Sequence, residues 1–473
     1  MTTSVSQPAA KLIGLRLAIM MFLQFFVWGA WYVSVGNYMT AHGMTSGIKW
    51  AYTVGPLAAL ISPFFLGMIA DRFFATEKIL GILHLIGGAA MMAAPMFGKG
   101  TPSSHWPFVA MLLVHMLCYM PTLGLTNTIS FANMYSPEKQ FPMIRVFGTI
   151  GWIVAGWVVG LAASRLLPIG LDLKDTAAVE AATKSLSHFL LVGGGAGILL
   201  GLYSFSLPHT PPPAAGKPFS VRDALGLDSL ALLKSPSFLV FVICSFLICI
   251  PLAAYYNWAP VFASAAGIAS DKVPILMSFG QFSEIFFMLI MPLCFAKLGV
   301  KWMLAAGMFA WALRYTLFAG APGSGAWELA RLVSSTGGSS SIVAPWLPYA
   351  LVLGGIVLHG ICYDFFFVTG FIYVDKKAPA KIRGQAQGFL VLITQGLGLG
   401  IGAQLVGAVV AACTSPLTDK LGQPVLDAVT KDPMKVINWF QVWSLASISA
   451  IVIMVLFLLL FRNDAESKAS EQK

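Results

Sequence analysis

Asp364 and Glu284 are carboxylates set in sequence that is otherwise apolar. Asp364 is the only Asp, Glu, Lys or Arg in the 30 residues from Pro345 to Val374, and Glu284 the only one in the 24 residues from Val273 to Ala296. Both stretches are long enough to cross a bilayer as helices. A charge near the bilayer centre costs at least ~2.5 kcal/mol on insertion scales, so such a residue ordinarily faces a polar cavity and works there. The chemistry suggested is reversible protonation beside a polar ligand, as in a proton-sensitive transport site.

Other polar and aromatic residues share helical faces with each other. Gln281 and Glu284 are three apart, and Arg145, Thr149 and Trp152 recur at i, i+4 and i+7. His359 and Tyr363 are four apart, with Asp364 adjoining. Tyr255, Tyr256 and Asn257 come from another apolar segment, as do Gln24, Trp28 and Trp31, and Thr126 and Asn127. The set has aromatic plates, amides and carboxylates, no Lys cluster, and one Arg (Arg145) aimed at the cavity. Aromatic faces stack on a planar base, and carboxylates and amides bond to hydroxyls. An anionic substrate would call for more cations. A neutral nucleoside meets this description, and a sugar or other polyol is the alternative. Arg314 reads as a strut, held by a backbone carbonyl or by Glu284.

The composition says what must position these groups. The chain has 473 residues, 58% hydrophobic and 10% charged, with mean hydropathy +0.80. Soluble proteins carry about 25% charged residues, so this is an integral membrane protein, expected to be all-α. Twelve apolar segments lie near 13–38, 50–70, 78–98, 107–130, 143–163, 188–207, 237–262, 273–296, 302–320, 345–373, 385–412 and 438–461. With both termini cytoplasmic, the inner side holds 18 of the 29 Lys and Arg, as the positive-inside rule requires. The net charge of +10 is thereby explained by topology, and no nucleic-acid partner is implied. The six cysteines read as small hydrophobes with no metal-ligand spacing. There is no metal-binding cluster, nucleophile elbow or phosphate loop, so neither an enzyme nor a cofactor is expected, and the proton is the coupling ion.

The expected organisation is a six-helix half over 1–207, a central cytoplasmic linker over 208–235, a second six-helix half over 236–462 and a tail over 463–473. The linker opens with His209-Thr210-Pro211-Pro212-Pro213, which cannot continue a helix. From Arg222 to Lys234 it reads as a short amphipathic helix on the membrane surface. His115-Met116-Leu117-Cys118-Tyr119 is echoed by His359-Gly360-Ile361-Cys362-Tyr363, the trace of a parallel internal repeat. Gly67-Met68-Ile69-Ala70-Asp71-Arg72 resembles the first part of the major facilitator superfamily loop signature, in which the counterparts of Asp71 and Arg72 act at the inner gate.

The chain resembles the bacterial nucleoside:proton symporters of that superfamily. The resemblance is carried by Phe22 through Trp31, Tyr119 through Ser130, Phe141-Pro142-Met143-Ile144-Arg145, Gly148-Thr149-Ile150-Gly151, Leu225-Gly226-Leu227-Asp228, Gln281-Phe282-Ser283-Glu284, Arg314-Tyr315 and Tyr363-Asp364-Phe365-Phe366. It implies a twelve-helix major facilitator fold of two pseudo-symmetric halves, working as a monomer in the inner membrane. It also implies nucleoside import with protons by alternating access. The implied binding residues are Arg145, Thr149, Trp152, Asn257, Gln281, Glu284, Tyr363 and Asp364; His359 joins them from its place on the face of Tyr363, and Asp364 or Glu284 reads as the coupling carboxylate from its apolar surroundings. The family pattern has a Gln where Ala254 stands and a Tyr where His359 stands, so a changed base preference is expected.

Overall fold

The computed structural model describes residues 7–65, 73–98, 105–134, 137–166, 175–212, 221, 227–321, 347–379, 382–417, 423–424 and 435–462. Asp71 and Arg72 lie outside these, as do Arg222 through Gly226.

Long apolar runs form helices because in a medium without water every backbone N–H and C=O must be bonded within its own segment. The first group is α1 Gln7–Tyr32, α2 Val35–Ala41, α3 Ile48–Phe65, α4 Thr76–Gly98, α5 Trp106–Ala132, α6 Pro137–Ala163, α7 Thr176–Ser185 and α8 His188–Ser204. The second is α9 Pro236–Ala265, α10 Val273–Ala319, α11 Leu347–Val357, α12 His359–Tyr363, α13 Thr369–Lys377, α14 Arg383–Val391, α15 Leu399–Ala412 and α16 Trp439–Leu460. Nine helices among the described residues are long and apolar enough to cross a membrane.

Within α10, Gly299 has φ 66°, a left-handed conformation that breaks its 47 residues into two straight pieces. Asp364–Val368 and Leu392–Gly398 are π-helical, a local widening that recurs at functional sites. Glycine sets the closest crossing. A Cβ at Gly151 of α6 would run into the Phe22 carbonyl of α1, and one at Gly29 would lie 3.0 Å from the Trp152 backbone.

The termini share one end of the bundle, which we call the near end. There Tyr203 donates to the Arg16 carbonyl (3.2 Å) and Ser237 to the Arg462 carbonyl (2.8 Å). Hydrogen bonds join the two groups of helices at the far end. Asn37 Nδ2 donates to the Pro260 carbonyl (3.3 Å), Trp157 Nε1 to Ser278 Oγ (2.9 Å) and Gln404 Nε2 to Thr53 Oγ1 (2.8 Å).

Two local details add to the expected helices. The chain is not purely helical, because Thr414–Pro416 and Lys435–Ile437 pair as a two-stranded antiparallel ribbon between α15 and α16. In that connection the chain leaves the apolar helices, and paired strands satisfy its backbone. The surface helix expected over 222–234 is a 3-10 helix over Leu227–Lys234. Ser229 is fully buried there while Leu227 and Leu230 are exposed.

Candidate functional site

α1, α6, α9, α10 and the α12 region bring the chemistry-bearing residues together between the two groups of helices. α6 carries Arg145, Thr149 and Trp152. The Arg145 guanidinium lies 4.0 Å over the Phe25 ring of α1, so its plane is fixed by an aromatic face. Trp152 meets Trp28 of α1 with ring centroids 5.5 Å apart, and Tyr32 at 6.1 Å. Tyr32 meets Tyr256 of α9 at 6.1 Å, so the aromatic cluster spans both groups.

The charged groups converge nearby. Glu284 lies within electrostatic reach of Arg145 and of Asp364, and Tyr363 within reach of all three. His359 Nε2 is 3.9 Å from Glu284 Oε2. Asp364 is completely buried, at the start of the π-helical segment, and neither carboxylate oxygen has a hydrogen-bond partner among the described residues. The same holds for Trp28 Nε1, Asn257 Nδ2, Gln281 Oε1 and His359 Nδ1. Buried polar atoms are ordinarily bonded. A set of donors and acceptors left open on neighbouring helices is what a polar ligand would complete. Thr149 is half-buried on α6 between Arg145 and Trp152.

Some sequence candidates go elsewhere. Gln24 is saturated, with its Nε2 donating to Thr122 Oγ1 (2.7 Å) and its Oε1 paired with His84 Nε2 (2.8 Å). Thr126 bonds its own helix at the Leu123 carbonyl, and Asn127 is exposed. Arg314 takes the backbone option, with Nε donating to the Gly355 carbonyl at 2.9 Å. Ala254 is buried in α9. Tyr32 was not anticipated. Its place one turn after Trp28 on the same face was the available signal.

The two echoing segments pack their rings alike. His115 stacks on Tyr119 with centroids 5.6 Å apart, and His359 lies against Tyr363 at 5.9 Å. His115 Nδ1 is bonded to the Gly87 carbonyl (3.0 Å), whereas His359 Nδ1 has no partner. Each ring thus keeps one open nitrogen, Nε2 in His115 and Nδ1 in His359.

The family profile described as nucleoside H+ symporter matches residues 12–335 and 339–466. The chain is 37% identical over 449 residues to YegT of Escherichia coli (strain K12), a candidate nucleoside transporter, covering 95% of this chain and 93% of that one. It is 30% identical over 466 residues to the nucleoside permease NupG of the same strain, covering 95% and 96%. The crystal structure of nucleoside transporter NupG superposes with a TM-score of 0.74 at 27% identity, over 96% of this chain and all of that one. The D-xylose-proton symporter, at 11% identity and TM-score 0.62, shares the fold. Matched over residues 12–335 and 339–466, and similar throughout to named nucleoside transporters and not to enzymes, the chain belongs to the nucleoside H+ symporter family and is a proton-coupled nucleoside transporter.

Proposed function

We propose that this protein imports nucleosides with protons by alternating access, with Asp364 as the proton-carrying group and Glu284 and Gln281 as the ribose contacts. The observation that carries this reading is the fully buried, unpartnered Asp364 carboxylate within electrostatic reach of Glu284. Two nearby carboxylates resist being ionised together. Protonation of one therefore depends on what occupies the space beside the other, and that dependence links proton and substrate. Trp152, with Trp28 and Tyr32, stacks on the base. Asn257, Thr149, His359 and Tyr363 complete the polar contacts, and Arg145 offsets the charge of Glu284. No further cofactor is needed.

The architecture is twelve spans in two halves, 1–207 and 236–462, joined by 208–235. Nine helices qualify by length and apolarity. Gly299 divides Val273–Ala319 into two spans, and Ile48–Phe65 and His188–Ser204 supply the remaining two. Exposed apolar side chains such as Leu289 (75%) and Met96 (76%) face lipid. The near end, with both termini, is cytoplasmic, as the Lys and Arg distribution favours, and the membrane is the inner one. The far end is closed by the bonds at Asn37, Trp157 and Gln404. Asp71 and Arg72 are the candidate gate at the near end, and the working unit is a monomer.

The test is uptake of labelled uridine and adenosine into proteoliposomes with and without an inward proton gradient. Accumulation that a protonophore collapses supports the reading. Uptake indifferent to the gradient in folded protein overturns it.

A further inference from the structure

Arg314 is the buried charge for which the transport reading finds no use. It is 0% exposed, and among the described residues it bridges no carboxylate. Its Nε donates to Gly355, while Nη1 and Nη2 have no hydrogen-bond partner. A cation this deep is costly unless its position does something.

What it does is stack. The guanidinium carbon lies 4.0 Å over the Tyr255 ring, the face-on contact to which a planar, weakly hydrated guanidinium is suited and an ammonium is not. Tyr255 in turn stacks on His359, with centroids 5.5 Å apart and planes 21° apart. The Tyr255 hydroxyl has no partner, so the faces of the ring, not its hydroxyl, hold its orientation. The His359 edge then presents Nε2 3.9 Å from Glu284 Oε2. Gly280 lets the imidazole sit this close to α10, since a Cβ there would lie 3.2 Å from the His359 Cβ. Planar groups thus run from a cation anchored on the backbone to the carboxylate that faces the ligand.

We propose that Arg314 is a positioning residue for ribose-hydroxyl recognition, acting on Glu284 through Tyr255 and His359. The inference rests on the reading of Glu284 as the ribose contact. The stack fixes the imidazole edge, and that edge, at 3.9 Å too far to bond Glu284, confines the space around its Oε2 and so biases which oxygen meets the 2′- and 3′-hydroxyls. Removing Arg314 loosens the carboxylate, whereas its path to the plates around Trp152 is longer and runs through Tyr256 and Tyr32. The predicted deficit therefore belongs to substrates that carry the hydroxyls.

The experiment is initial-rate uptake of uridine and of 2′,3′-dideoxyuridine by full-length protein in proteoliposomes. Arg314→Met is expected to raise the uridine KM about tenfold with kcat within about twofold, and to leave dideoxyuridine uptake nearly unchanged, so that discrimination falls. Arg314→Lys does not restore it, because the flat contact is lost. Adding Arg314→Met to Glu284→Gln lowers discrimination no further than Glu284→Gln alone. Tyr255→Leu, which removes the ring between Arg314 and His359, gives the same loss of discrimination and serves as the test if Arg314→Met does not fold. Equal losses for both substrates, or full additivity with Glu284→Gln, would overturn the proposal. If Glu284→Gln itself leaves discrimination intact, the ribose reading of Glu284 fails and takes this inference with it. If Glu284→Gln abolishes discrimination while Arg314→Met and Tyr255→Leu keep it, only the present inference falls.

Discussion

Tyr32 and Tyr256, 224 residues apart in the chain, meet edge to face with ring centroids 6.1 Å apart and planes at 71°. One comes from the helices before the central connection and the other from those after it. Around them stand Trp28, Trp152 and Tyr52, the last donating to the Tyr32 carbonyl at 2.8 Å. The contact joins the two groups of helices where the candidate ligand groups converge. A base entering the aromatic cluster would therefore touch both groups at once, which is how a ligand can bias a rocking equilibrium.

Asp364→Asn keeps the shape of the side chain and removes its proton chemistry. The expected result is loss of protonophore-sensitive uridine accumulation, with uridine counterflow retained. Undiminished gradient-driven accumulation in this variant would rule out Asp364 as the coupling group and move attention to Glu284.

Trp152→Ala removes the plate that Trp28 and Tyr32 pack against. Base stacking contributes ~1–3 kcal/mol per base by alanine substitution in other proteins, so the nucleoside KM should rise about tenfold or more. The change should fall on KM for purine and pyrimidine nucleosides alike. A KM unchanged within twofold for both uridine and adenosine would show that the plate does not stack on the base.

Gly151→Ala places a methyl group against the Phe22 carbonyl of α1, whereas Gly195 of α8 has open space around it. Overpacking of this kind costs about 1–3 kcal/mol. Thermal unfolding in detergent should show a lower melting temperature for Gly151→Ala and none of that loss for Gly195→Ala. Equal melting temperatures would mean that α1 and α6 can part without cost.

Gln404 Nε2 donates to Thr53 Oγ1 at 2.8 Å across the far end. Cysteines at both positions, in a background with the six native cysteines replaced, should be joined by a short bifunctional thiol reagent. The joined protein should bind uridine yet fail to transport it until reduced. Full transport while joined would show that these helices do not separate during the cycle.

The amino-acid sequence by itself determined the membrane class, the placing of the apolar segments, the two carboxylates and the family. Each of these is a property of local composition or of spacing along one helix. The faces that carry Gln281 with Glu284, and Arg145 with Thr149 and Trp152, follow from 3.6 residues per turn. Spacing cannot tell which face meets which across hundreds of residues. Gln24 and Trp28 are one turn apart on α1, yet Gln24 is saturated by His84 and Thr122 while Trp28 keeps an open indole nitrogen. Arg314 had two possible partners in the sequence. The choice of Gly355 and Tyr255 was made by how α9, α10 and α11 pack. The ribbon at Thr414–Pro416 and the 3-10 turn at Leu227–Lys234 were decided in the same way. Such short segments have weak intrinsic preferences, and it is the neighbouring helices that settle where their backbone bonds go.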